Sequence, residues 1–327
     1  MRFRNVFLVY FLVYLIIPLL WLASAVMPLA GQIRSTQQQK KRIAAGGTHS
    51  LGLLANGKVV AWGENEDGGW VKLPANLRNV VAVSAGDDHS LALKSDGTVV
   101  AWGNVAAGSE NDFGQWKVPA GLRNVVAISA GRHNSLALRS NGTVVGWGHN
   151  SMGQTTIPAN LRNVVAIAAG HWNSLALRSD GTVVTWGKPS GYLYSTAPTN
   201  LRKVVAIAAG TFHTLGLLSN GTVVAWGSTG NVKTTIPAKL RNVVAIAAGG
   251  YHSLALKSDG TVVAWGENNL GQSTVPANLR NVVAISAGTV HSLALKSNGT
   301  VVGWGSNGSG QSNQYFIGST APKIHSP

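Results

Sequence analysis

The chain of 327 residues contains no cysteine, which excludes a disulfide, a thiolate metal site and a cysteine nucleophile. Charged side chains are also scarce: they form 11% of the residues, against about 25% in an average globular protein. The hydrophobic fraction of 45% nevertheless excludes a disordered chain. The chain has only 11 acidic residues but 26 lysines and arginines. The resulting net charge of +15 indicates an anionic neighbour without defining the fold.

The N-terminus has the pattern of an export signal or a membrane anchor. Two arginines precede an uncharged stretch whose most apolar part, residues 6–22, is followed by Ala23-Ser24-Ala25, a small-x-small cleavage pattern. Its length lies between a signal core of about 7–15 residues and a spanning helix of about 20, so both alternatives stay open. We assign residues 1–31 to a hydrophobic helix that serves as signal peptide or anchor, and residues 32–41 to a polar linker. Both alternatives predict an exported protein, either secreted (periplasmic or extracellular) or held at the membrane.

Glycine and tryptophan are abundant, with 40 and 11 copies, because one unit is repeated. Ala-Gly-x-x-His-Ser-Leu-Ala-Leu or a near copy occurs seven times, at intervals of 39 to 45 residues. Its glycines are Gly46, Gly86, Gly131, Gly170, Gly210, Gly249 and Gly288. Each copy is followed by Ser-Asp/Asn-Gly-Thr-Val-Val-x-Trp-Gly or a close variant, and then Pro-Ala-Asn-Leu-Arg-Asn-Val-Val-Ala-Ile or a variant leads into the next copy.

Each unit predicts three short antiparallel strands, the last two joined by a tight Ser-Asp-Gly or Ser-Asn-Gly hairpin. A three-stranded sheet of this size cannot bury both of its faces, whereas seven sheets packed radially can. The sequence therefore predicts an all-β, seven-bladed β-propeller over residues 42–312, with three to four strands in each blade. Residues 313–327 are predicted to be a closing segment whose strand-like residues 314–317 pair near the first blade, since an unpaired edge is a liability.

These repeats resemble those of the regulator of chromosome condensation family of seven-bladed β-propellers. Their length of roughly 40 residues is most similar to that of the propeller-type β-lactamase inhibitory proteins of bacteria. The resemblance covers about residues 42–311 and is specific for the fold, but one fold serves many functions. It implies a non-enzymatic scaffold, and the inhibitor-type propellers bind their target enzyme through aromatic and acidic loops on one face.

Successive strands of a blade run in opposite directions, so the loops lie alternately on two faces. The Ala-Gly-x-x-His turns and the loops after Trp-Gly share one end of each blade, here named the upper face. The Ser-Asp-Gly hairpins and the Leu-Arg-Asn segments share the other end, the lower face. The repeated histidine is replaced by Asn134 and Asn173 in two units, which keeps hydrogen bonding but loses acid–base chemistry. We interpret it as structural and expect no catalytic residue, metal site or cofactor.

The two residues after each turn glycine vary within an almost fixed frame, and such positions are where a rigid scaffold can carry a binding site. Aromatic residues occupy them in three consecutive units, and tryptophans in longer loops add to the same face. The alternative is that these aromatics lie over the central channel and pack on each other. The predicted partner-binding residues are Asp87, Asp88, Arg132, His133, His171, Trp172, Thr211, Phe212, Tyr251, Trp70 and Trp116.

The lower face is predicted to be a basic ring. Its candidate residues for an anionic membrane or polymer are Arg78, Arg123, Arg162, Arg202, Arg241 and Arg280. If residues 6–22 stay in a membrane, this ring faces anionic headgroups. An ordinary solvated face is the alternative.

Three functions are compatible with these features. The first is an exported, non-enzymatic propeller that binds a protein partner through its upper face and inhibits an extracytoplasmic enzyme. The second is guanine-nucleotide exchange or chromatin binding, as in the founding member of the family; the N-terminal segment argues against it, so nucleic acid is not an expected partner. The third is a propeller lyase or hydrolase. It ranks last because no set of polar residues in the sequence is predicted to come together as a catalytic site. A monomer is expected.

Overall fold

The computed structural model describes residues 42–64, 72–103, 110–187, 197–227 and 235–318. The predicted signal or anchor, the linker and Trp70 lie outside these ranges. Within them the chain forms seven antiparallel sheets, one for each repeat, of which six have three strands and the last has four. The described part contains no helix long and apolar enough to span a membrane. The all-β, seven-bladed prediction is thereby confirmed.

The strands follow the repeat. The first four blades contain β1 (Ile43–Ala45), β2 (His49–Leu53), β3 (Val59–Gly63), β4 (Val80–Ala85), β5 (His89–Lys94), β6 (Val99–Gly103), β7 (Val125–Ala130), β8 (Asn134–Arg139), β9 (Val144–Gly148), β10 (Val164–Ala169), β11 (Ser174–Arg178) and β12 (Val183–Trp186). The last three contain β13 (Val204–Ala209), β14 (His213–Leu218), β15 (Val223–Gly227), β16 (Val243–Ala248), β17 (His252–Lys257), β18 (Val262–Gly266), β19 (Val282–Ala287), β20 (His291–Lys296), β21 (Thr300–Gly305) and β22 (Tyr315–Phe316).

The core lies between neighbouring blades rather than inside any one of them. Leu215 and Leu217 of the fifth blade pack against Ala255 and Trp265 of the sixth, and all four are buried. The same arrangement recurs around the ring. Because both faces of a sheet are covered in this way, a middle strand such as β5 is buried along its whole length except for its last residue. This geometry explains why so few charged residues are present.

The first strand of each blade lines a central channel of about 990 Å³. In six blades this inner strand contains a β-bulge at its second valine. In β10, for example, Val164 is opposite Arg178 and Ala166 is opposite Leu177, so Val165 has no partner in the register. A bulge bends the strand and redirects one side chain. The bulged residues Val81, Val126 and Val165 are about half exposed, whereas Val205 and Val283 at the same bulge are half-buried and Val244 is buried.

The C-terminal strand lies near the first blade, as predicted. β22 pairs with β21, the outer strand of the seventh blade, which offers an unpaired edge. The side chains of the segment contact the first blade: Tyr315 stacks on Trp62 with ring centroids 4.9 Å apart, and Ile317 is fully buried beside Ile43. Residues 319–327 lie outside the described part.

Candidate protein-binding face

Hydrogen bonds place the loops on two faces as the alternating strand direction predicts. On the upper face, the N–H groups of Glu64 and His149, each directly after a Trp-Gly pair, donate to the carbonyls of Thr48 and His133 in the adjacent turns. On the lower face, the N–H of Val125 donates to the carbonyl of the hairpin residue Gly97 at 3.0 Å. The two sets of loops therefore lie at opposite ends of each blade.

The seven Ala-Gly turns form a closed ring around the upper end of the channel. The N–H of Gly250 donates to Gly288, and the N–H of Thr289 donates to Gly46 of the first blade at 3.0 Å. The turns approach so closely that a Cβ atom on Gly131 would lie 2.2 Å from the carbonyl oxygen of Gly170. The repeated glycine is therefore required by backbone packing and not by a ligand.

The repeated histidine is a structural hydrogen bonder, as predicted. His291 Nε2 lies 2.8 Å from Ser50 Oγ, and His89 Nε2 lies 2.8 Å from Ser135 Oγ in the next blade. Each serine hydroxyl donates to a backbone carbonyl, that of Gln311 for Ser50, so it accepts from a protonated Nε2. Burial lowers the pKa of His89 and of His291 to about 3, and these side chains stay neutral.

Asparagine does not replace this bond in the third blade, contrary to the expectation that it keeps the hydrogen bonding. Both polar atoms of the buried Asn134 amide lack a partner among the described residues. In the fourth blade, Asn173 Nδ2 reaches Thr214 Oγ1 only at 3.5 Å. The physical reason is that the asparagine side chain is shorter than an imidazole and does not span the gap to the next blade.

A glutamine in the upper loops organises this face and was not singled out from the sequence. The carbonyl of Gln115 accepts from Trp147 Nε1 of the next blade at 2.9 Å, while its side-chain Oε1 accepts from the N–H of Phe113. The side chain of Phe113 is 39% exposed. The signal was present in the sequence as Gly-Gln, which recurs in the loops ending at Gln115, Gln154, Gln272 and Gln311. In the sixth blade the same arrangement presents Leu270, which is 51% exposed.

The structure separates the two variable residues of each turn. In six of the seven turns, the first residue of the pair lines a shallow cavity of about 70 Å³ at the upper mouth of the channel. Four of these residues form one chain of polar contacts: Thr289 Oγ1 donates to Asp87, Arg132 Nε lies 3.2 Å from Asp87, and Arg132 Nη1 donates to His171 Nε2 at 2.8 Å. Thr289 reaches Asp87 across the first blade, whose turn has Gly47 at this position. Burial raises the pKa of Asp87.

The second residue of the pair lies outside this mouth. Asp88 forms a largely buried pair with His133, at 3.2 Å between Oδ2 and Nδ1. The Trp172 ring stacks on His171 with centroids 4.1 Å apart, and the exposed Phe113 ring lies 4.1 Å from His149. Blades two to four thus carry a continuous array of aromatic and imidazole rings.

Two further aromatics of the same face form a pair of their own. The rings of Phe212 and Tyr251 lie 4.9 Å apart and are half-buried. They pack on each other, as the alternative interpretation expects, but they do not line the mouth of the channel. Trp116 is half-buried in its loop, with Lys117 Nζ at 5.1 Å from the ring centroid. The acidic residues Asp87 and Asp88 are engaged within this face, with Arg132 and His133.

The predicted arginines all lie on the lower face and are exposed: Arg78, Arg123, Arg162, Arg202, Arg241 and Arg280. Among the described residues, no group of three or more histidine, aspartate or glutamate side chains could hold a metal ion.

Comparison with known proteins identifies the family. The Regulator of chromosome condensation (RCC1) repeat matches residues 41–68, 80–115, 125–154, 164–192, 204–231, 243–272 and 282–311, which is more than half of the chain. The chain therefore belongs to the RCC1-repeat family of propellers, whose members are generally binding or exchange factors. A search of curated proteins found no match.

Solved structures show the same fold. The ectodomain of the receptor kinase CR4 from Physcomitrella patens is 26% identical, with a TM-score of 0.64 over 81% of this chain and 73% of that one. Prp20p from Saccharomyces cerevisiae, described with its binding to Gsp1p and histones, is 22% identical, with a TM-score of 0.61 over 77% and 81%. Human WBSCR16 is also 22% identical, with a TM-score of 0.61 over 77% and 85%.

Proposed function

We propose that this protein is an exported, non-enzymatic propeller that binds a protein partner through the aromatic array of its upper face. The observation that carries the proposal is the packing of Trp172, Phe212 and Tyr251 on a frame fixed by inter-blade hydrogen bonds. Rigid aromatic side chains lose little conformational entropy on binding and are frequent anchors of protein interfaces.

The chemistry of the face indicates what it would recognise. Phe113 and Leu270 project from the surrounding loops and are 39% and 51% exposed, while Asp87 and Asp88 are engaged with Arg132 and His133. A partner with a protruding apolar segment fits this surface better than a strongly basic one. If the apolar segment lies beside the active site of an enzyme, its binding to the propeller blocks that enzyme. Inhibition of an extracytoplasmic enzyme is therefore the form of binding that we favour.

Export is part of the proposal. It is supported by the arginine-led apolar segment at residues 6–22 and by the likeness to the ectodomain of a receptor kinase. Fractionation of the producing cell tests it directly. Recovery of the protein from the cytosol with residues 1–31 intact would contradict export and would favour the exchange-factor alternative.

The binding face is tested by affinity capture with the full chain and with a variant carrying Trp172→Ala, Phe212→Ala and Tyr251→Ala. A specific partner should be retained by the original protein and lost by the triple variant, with its dissociation constant raised at least about 100-fold. The matched control is Val290→Ala, which changes the same turn position in the seventh blade. Retention of the partner by the triple variant, with an unchanged circular dichroism spectrum, would place the site elsewhere.

A further inference from the structure

The lower face combines arginine and exposed valine in a regular way. In the second, third and fourth blades an exposed arginine is followed three residues later by an exposed valine: Arg78 by Val81, Arg123 by Val126 and Arg162 by Val165. These valines are 50%, 47% and 55% exposed, and each lies at the β-bulge of its inner strand. In the last three blades the corresponding valines are half-buried or buried. The apolar surface is thus confined to one side of the lower face.

Two of these three arginines, Arg123 and Arg162, are oriented by their own turns. Arg162 Nη1 donates to the carbonyls of Leu161 and Ala159 at 2.8 and 2.9 Å, and Nη1 of Arg123 donates to Leu122 at 3.0 Å. The Nε and Nη2 groups of these two arginines make no hydrogen bond to any residue in the described ranges. An arginine held by one nitrogen loses less entropy when the other nitrogens bind an anion.

The positive charge of this face is only partly neutralised from within, by ion pairs of hairpin lysines. In the described part of the chain, none of the six ring arginines forms an ion pair. The acidic residues of the lower face are used inside their hairpins: Asp96 pairs with Lys94 at 3.0 Å, and Asp259 pairs with Lys257 at 2.8 Å. Asp180 accepts from the backbone N–H and the hydroxyl of Thr182. The guanidinium groups are therefore available to an external anion.

Arg42, the first residue that the structure describes, lies on this same face. Arg42 lies beside the first hairpin, where its carbonyl accepts from the N–H of Leu53 and its Nε donates back to the carbonyl of Leu53. The apolar residues 6–22 are connected to this point by residues 23–41. These 19 residues can span up to about 65 Å, so residues 6–22 can lie in a membrane on which the lower face rests.

We propose that the lower face of blades two to four docks on an anionic phospholipid surface. Arg78, Arg123 and Arg162 bind lipid phosphates, while Val81, Val126 and Val165 enter the interfacial layer. A surface of this kind fits a membrane better than a nucleic acid, because the hairpins and Leu-Arg-Asn turns of this face contain no aromatic side chain on which bases could stack. Docking would leave the upper face directed away from the membrane and open to a partner.

The absence of cysteine allows a direct test. A single cysteine is introduced in the full chain by Val126→Cys, labelled with a polarity-sensitive dye, and the protein is reconstituted into phosphatidylcholine vesicles with and without phosphatidylglycerol. We expect a blue-shifted emission and protection from iodide quenching only in the anionic vesicles, with both lost at high salt. The matched probe, Tyr251→Cys on the upper face, should stay accessible to iodide in both.

The arginine contribution is tested in the same assay. Because each arginine near an anionic surface contributes about 1 kcal/mol, Arg78→Gln, Arg123→Gln and Arg162→Gln together should lower the ratio of docked to undocked protein by about 100-fold. The control carries Arg202→Gln, Arg241→Gln and Arg280→Gln, which removes the same charge beside valines that are not exposed, and it should retain a larger docked fraction.

Three results would overturn the proposal. One is equal iodide quenching at position 126 in neutral and anionic vesicles. Another is protection that survives the loss of Arg78, Arg123 and Arg162. The third is protection by soluble polyphosphate or a DNA oligonucleotide without any protection by vesicles, which would assign the face to a soluble polyanion.

Discussion

His291 Nε2 in the seventh blade lies 2.8 Å from Ser50 Oγ in the first blade, and the two residues are 241 positions apart in the chain. The bond is the same one that joins His89 to Ser135 and His252 to Ser292 between successive blades. The ring therefore closes by repeating its ordinary inter-blade contact, with β22 as an addition on the outside.

The third blade lacks this bond, and restoring it should stabilise the protein. In Asn134→His the imidazole would reach Ser174 Oγ, which already donates to the carbonyl of Gln154 and can accept a bond from Nε2. We expect a gain of about 1 kcal/mol and a rise of about 2–4 °C in the melting temperature, measured by calorimetry. Asn173→His is the control, because it faces Thr214 rather than serine and should gain less. A lower melting temperature for Asn134→His would show that the third blade cannot accommodate the ring.

The buried histidines should make the fold sensitive to acid. Burial lowers the pKa of His49, His213 and His252 to about 4 and that of His89 and His291 to about 3. Below pH 6.5 the unfolded chain binds protons that the native state excludes, so stability is complete above this pH and is lost as the pH falls towards 4. Each histidine contributes a slope of about 1.4 kcal/mol per pH unit in that range.

The measurement is the free energy of unfolding in urea between pH 7.5 and 4.5. His291→Asn removes one titrating group, so its stability should depend less steeply on pH than that of the original protein, whatever its stability at pH 7.5. A free energy that stays constant from pH 7 to 5 would contradict the assignment of these histidines as neutral in the native state.

The junction between the last and first blades should depend on Ile317. This side chain is fully buried, and Ile317→Ala would leave a cavity beside Ile43, at a cost of about 2–5 kcal/mol. Deletion of residues 313–327 should likewise lower the melting temperature markedly. Phe316→Ala, at the neighbouring half-buried position, is the control and should cost less. If neither Ile317→Ala nor the deletion alters thermal unfolding, the segment does not contribute to closure.

Gln115 should control the position of Phe113. In Gln115→Ala the N–H of Phe113 loses one of its two acceptors and keeps the carbonyl of Asn111 at 3.2 Å, and the bond from Nε2 of Gln115 to that carbonyl is also lost. The bonds that Trp147 and Ser135 donate to the backbone carbonyl of residue 115 remain. We expect faster amide hydrogen exchange at residues 111–114, with a small effect on global stability. Gln272→Ala should act only on the loop that presents Leu270. Unchanged exchange at Phe113 would mean that the loop is held by other contacts.

The sequence was sufficient wherever the argument rested on repetition. Seven copies of one unit predicted the propeller, the two faces and the structural role of the histidines, because a repeated residue must perform a repeated task. It was insufficient for the candidate site. The sequence grouped Asp87 and Asp88 as two adjacent variable residues, whereas Asp87 contacts Thr289 and Arg132 at the channel mouth and Asp88 pairs with His133 farther out.

The linear order of the chain by itself determined which residues belong to each blade and which end of a strand they occupy. Only the tertiary structure decided which of them remain available to a partner. Neither the contact of Thr289 with Asp87 across Gly47 nor the exposure of Val126 at a bulge can be read from spacing along the chain. The first depends on closing the ring and the second on what packs against the bulged residue, since Val244 at the same bulge is buried. Both are properties of packed sheets and not of any single repeat.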